Sequence, residues 1–131
     1  MNLKVVNPWS WQDPLNFSQA VEAPGGSRVL FLAGQTSVDP DGRPLHADDM
    51  RAQLEKAFEN LEAVLEQAGM TLANLVRLNY YVTDMAAYAG TRGVVAERLG
   101  GLAVKPSGCL LGVNCLAHPE LMVELEATAV A

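Results

Sequence analysis

Glu124 and Glu126, in the run LMVELEATA near the C-terminus, are the acids whose spacing could place them together in a site. Leu121, Val123, Leu125, Ala127 and Ala129 alternate there with Met122, Glu124, Glu126 and Thr128. Successive strand side chains point to opposite faces, so both carboxylates share the face turned away from the apolar set. Such a face either meets water, as one side of most antiparallel sheets does, or lines a ligand cleft. The second reading needs companions elsewhere in the chain.

Few other residues offer chemistry. His46 and His118 are the only histidines, far apart in loop-like contexts, and match no metal-ligand spacing. No GxGxxG, P-loop or GxSxG motif occurs. Cys109 and Cys115 fit neither a CxxC pair nor a zinc knuckle. On one regular strand they would lie too far apart to bond, so both are expected as reduced thiols, with Cys109 a small buried apolar residue.

The elements that must position these groups follow from the periodicities. Leu3 to Val6 reads as an edge strand stopped by Asn7-Pro8, and the next segment, with Trp9 and Trp11, as loop packed on the body or on a neighbouring subunit. Gln19 to Glu22 suggests a strand turning at Pro24-Gly25-Gly26, a hairpin signal. The run RVLFLA, Arg28 to Ala33, has the composition of a central strand. Asp48 to Ala68 is helical, with Leu54, Ala57, Phe58, Leu61 and Leu65 on one stripe, Glu55, Glu59, Glu62 and Glu66 on the solvated side, and Gly69 closing it. A strand over Val76–Thr83, a second helix over Met85–Leu99, and a final strand pair between Lys105 and Ala131 complete the order. The expected fold is α+β, one sheet with two helices on one face. The other face carries Tyr81 beside polar groups, which suits a subunit interface.

A chain of 131 residues at a net charge of −6 is expected to be one domain over 1–131, with a surface that repels phosphate backbones. No signal peptide or apolar run of membrane-spanning length is read in it. A cytoplasmic protein with no nucleic-acid or membrane partner is the expectation.

The segments LAGQTSVDPDGRPL, QLEKAFENLEAVLEQAGMTLANLVRLNYYVTDM and VELEATAVA resemble the RidA family, also called YjgF, in order and spacing from about Phe17 to the end. The resemblance implies a chorismate-mutase-like fold, a homotrimer whose sheets form a central barrel, and ligand clefts between subunits. It implies hydrolysis of imine or enamine intermediates such as 2-aminoacrylate to 2-keto acids and ammonia, with no cofactor. Residue by residue, the family's cleft glycine matches Gly34 and its water-activating acid matches Glu124. Phe17 stands where the family has a tyrosine, and Arg92 where it has an asparagine. Gly108, beside Cys109, stands where active members carry the arginine that clamps the substrate carboxylate. Losing that bidentate contact removes about 1.5–3 kcal/mol, unless Arg92 supplies the charge. Weak or altered deaminase activity, or a trimer that binds metabolites without catalysis, are the two expectations.

Overall fold

The computed structural model describes residues 2–131. Six strands and three helices follow in the order β1 (Lys4–Val6), β2 (Ala20–Glu22), β3 (Val29–Gln35), α1 (Met50–Gln67), β4 (Leu75–Val82), α2 (Met85–Ala89), α3 (Arg92–Leu99), β5 (Leu110–Gly112) and β6 (Val123–Val130). The main sheet has the order β3-β6-β4-β5. β6 runs antiparallel to both neighbours, while β5 is parallel to β4, so the sheet is mixed.

The helical stripe and the strand alternation close one core. Asp49 caps α1 by accepting from the Ala52 N–H at 3.0 Å, and Gly69 takes the left-handed φ of 72° that ends it. Leu54, Phe58, Leu61 and Leu65 of α1 are buried against Leu78 and Val82 of β4 and Val123, Leu125, Ala127 and Ala129 of β6. Gln53, also buried, fastens α1 to the start of β6: its amide donates to Glu120 O at 2.8 Å and its oxygen accepts from Met122 N at 2.8 Å. The α+β class with helices on one face is therefore as the sequence implied.

Four expectations change. The final strands do not pair with each other, because β4 lies between them; β5 reaches β4 in parallel only through the α2–α3 crossover. β2 pairs with β1 rather than turning back onto β3, since Ser27 and Arg28 donate instead to Ala131 O beyond β6. RVLFLA forms an edge strand, not a central one, leaving Val29 54% and Phe31 81% exposed. The second helix breaks at Gly90-Thr91, where the Thr91 hydroxyl donates to Tyr88 O at 2.7 Å. Trp9 and Trp11 are 61% and 60% exposed, although the Trp11 ring meets Phe17 edge-on at 5.6 Å.

Candidate functional site

The implied residues fall into two groups on opposite sides of the sheet. In the first, the pairing of β3 with β6 shifts between Leu32 and Gln35, so Gly34 lies in the irregular stretch of the edge strand. A Cβ placed on Gly34 would stand 1.9 Å from Glu124 Oε1. A side chain at Gly34 would have to displace the Glu124 carboxyl, so the glycine lets that carboxyl rest against the β3 backbone. Both face away from the helices.

The same open face carries a network that the sequence reading did not assemble. Tyr81 donates its hydroxyl to Glu126 Oε1 at 2.7 Å, and the Asn79 amide donates to the same oxygen at 3.1 Å. The Tyr81 bond first, then that of Asn79, holds the Glu126 carboxyl below the usual carboxylate range, and the Tyr81 phenol is raised in turn. Asn79 Oδ1 accepts from the Cys109 N–H at 3.1 Å, and the Arg77 guanidinium lies 3.8 Å from Cys109 Sγ. Alternation along β4 already put Asn79 and Tyr81 on one face; their register against Glu126 required the structure.

The second group lines a cavity of about 490 Å³ on the helix side of β4 and β5. Phe17, Arg92, Gly108 and Cys109 all line it; Gly34 and Glu124 do not. A 3-10 turn at Asp13–Leu15 ends at Asn16 in the left-handed region (φ 60°), and Ser18 N–H donates to Pro106 O at 3.0 Å, which sets Phe17 at the wall. Arg92 opens α3 and forms no ion pair with an acid among the described residues. It does not meet Gly34 or Glu124 within the chain, but it does share the cavity with Gly108.

Gly108 has a structural reason of its own. Ser107 and Cys109 bond to β4 through Leu78 N–H to Ser107 O at 2.7 Å and Tyr80 N–H to Cys109 O at 2.8 Å. Between them, a Cβ on Gly108 would stand 1.8 Å from Leu78 O. Backbone lies where a side chain would begin, so this segment projects nothing into the cavity at that point.

Sequence reasoning missed Tyr80 and Tyr88, whose rings meet edge-on at 5.8 Å along the cavity wall. Burial pushes the Tyr88 phenol up to about 12, and burial followed by the neighbouring Tyr88 raises Tyr80 well above its ordinary value. Cys109 is exposed, not a buried apolar residue, because β5 begins only at Leu110 and leaves it at the sheet edge. Both thiols are unpaired. Among the described residues no cluster of His, Cys, Asp and Glu could hold a metal ion, and no helix is long and apolar enough to cross a membrane.

Residues 12–131 match the family described as Endoribonuclease L-PSP. A RutC family protein of Pyrococcus horikoshii is 33% identical over 113 residues, covering 86% of this chain and 85% of its own. Among solved structures, the Rid-family protein YyfB of Yersinia pestis superposes with a TM-score of 0.90 at 36% identity over 100% of both chains. RidA from an Antarctic Psychrobacter gives 0.71 at 29% identity, over 88% of each chain. The chain belongs to the RidA/YjgF (endoribonuclease L-PSP) family and has its α+β fold.

Proposed function

We propose that this protein is a cytoplasmic homotrimer that takes small imine or enamine metabolites in clefts between subunits and hydrolyses them. One observation carries the reading. The acid half, Gly34 and Glu124, and the cavity half, Phe17, Arg92 and Gly108, lie on opposite sides of one sheet, with Cys109 at the sheet edge between them. A single chain cannot bring them together; a ring in which the open face of one subunit meets the cavity of the next can. Phe31 and Val29, exposed on the edge strand, and Leu111, 48% exposed on β5, are apolar surface that such a contact would cover. The unpaired cysteines fit a reducing compartment.

The chemistry needs no cofactor. An enamine such as 2-aminoacrylate tautomerises to the 2-imino acid. Glu124 takes a proton from a water whose oxygen adds to the C=N carbon, and that proton passes to the nitrogen. The carbinolamine then expels ammonia and leaves the 2-keto acid. Arg92, the unpaired cation at the cavity, takes the substrate carboxylate in place of the absent arginine.

A second reading, a trimer that binds metabolites without catalysis, is favoured by Gly108 alone, since no side chain there can clamp the substrate. Ribonuclease action finds no support in a net charge of −6 or in His46 and His118, both exposed. The test is release of ammonia and keto acid from imines generated in situ from several amino acids. Acceleration that disappears in Glu124→Ala supports the hydrolase. No acceleration with any imine, from a folded trimer, supports the binding protein.

A further inference from the structure

The cavity beside Gly108 is larger and more apolar than a three-carbon acid requires. At about 490 Å³ it falls within the roughly 300–1,000 Å³ of sites that enclose drug-sized ligands. Leu15, Phe17, Leu78, Val95, Ala96 and Leu110 give its wall an apolar character. Arg92 is the one lining side chain with a formal charge near neutral pH. Gly108 adds no side chain to the wall, and a Cβ there would point at Leu78 O of β4. Arg92, at the start of α3, is left as the charge this wall can offer a ligand.

We propose that this cavity selects 2-imino acids, and the corresponding 2-keto acids, that carry a bulky branched or aromatic side chain, with the carboxylate at Arg92 and the side chain against Val95, Ala96 and Leu110. The assignment rests on the cleft described above but concerns ligand class rather than turnover. A pyruvate-sized acid would satisfy Arg92 and leave the apolar wall wet. Each methylene added to the ligand removes wall and ligand surface from water together. A single cation favours a monoanion over a dicarboxylate.

The experiment is calorimetric binding of pyruvate, 4-methyl-2-oxopentanoate and phenylpyruvate to the full-length protein. The two larger acids should bind roughly 10- to 100-fold more tightly than pyruvate, from the carbon they bury. Ala96→Phe, on the exposed side of α3, should reduce that ratio to about threefold or less by occupying the apolar space. Leu110→Trp, from the opposite wall, should do the same if Ala96→Phe does not fold. Equal or tighter binding of pyruvate, no binding of any of the three, or a ratio untouched by both fillings overturns the assignment. Absence of imine hydrolysis with the preference intact refutes the hydrolase alone and supports the ligand class.

Discussion

Glu124 meets Gly34 across two hydrogen-bonded strands, whereas Phe17, Arg92 and Gly108 converge from a 3-10 turn, the first residue of a short helix and a loop beside β5. Strand pairing fixes the acid to the core: on either side of it Val123 and Leu125 are fully buried, so the carboxylate cannot drift without unpacking β6. The cavity wall has no such restraint. Arg92 and Ala96 are exposed on α3, and Leu110 stands 44% exposed on the sheet edge. Their side chains can change without disturbing the core. Under the proposed function, reaction chemistry would sit on the rigid half and ligand choice on the adaptable one.

The largest effect should come from the rigid half. Glu124→Gln keeps the shape and removes the base, so imine hydrolysis should fall by about 10²- to 10⁴-fold while the melting temperature stays within about 2 °C. Gly34→Ala puts a carbon 1.9 Å from Glu124 Oε1 and forces the carboxyl aside. A displacement on the order of 1 Å should lower the rate by about 10²-fold, read in the same assay. A rate near wild type in either variant would remove the acid half from the site.

Gly108→Arg probes the other half. Restoring the family residue should not restore a clamp, because its Cβ would stand 1.8 Å from Leu78 O. The expected result is a loss of about 1–3 kcal/mol in urea unfolding, with no gain in affinity for pyruvate. Unchanged stability with tighter pyruvate binding would mean that the adaptable half extends into β5 and that the Gly108 segment is freer than its hydrogen bonds imply.

The smallest effect concerns the open-face network. Tyr81→Phe removes the principal donor to Glu126, so the Glu126 carboxyl should titrate higher, closer to the ordinary carboxylate value, by NMR. The sign follows from linkage. A folded-state pKa below the unfolded one contributes stability at pH above the unfolded value, and that contribution is lost as pH falls through the folded value. Wild type should therefore lose slightly more stability than Tyr81→Phe on acidification below about pH 4.5, and the difference should be small because Glu126 is exposed. A network that titrates identically in both proteins would leave Glu126 as an isolated surface acid.

Legibility in the sequence follows the same division. The helix stripe of Leu54, Phe58, Leu61 and Leu65 and the alternation from Leu121 to Ala129 were readable because local period maps directly onto burial. The place of RVLFLA was not. Its continuous apolar run anticipates a strand covered on both faces, yet within one chain Phe31 has no cover. Composition can reflect a contact that lies outside the chain. Pairing of β5 with β4 was equally hidden, because three residues carry too little pattern to choose a partner or a direction. The acid and glycine could be named through the family resemblance, but Tyr80 and Tyr88 could not, since nothing in their spacing indicates a wall formed between a strand and a separate helix.

The claim that one site is assembled from two subunits is tested most directly by complementation. Glu124→Gln and Arg92→Glu are each expected to be inactive in imine hydrolysis, through opposite halves. Mixed in equal amounts under conditions that exchange subunits, they should form sites that take Glu124 from one subunit and Arg92 from its neighbour. Random assembly of a trimeric ring predicts recovery of about a quarter of the wild-type rate. A mixture no more active than its components would place both residues in the same chain's site, or outside any site, and would contradict the account.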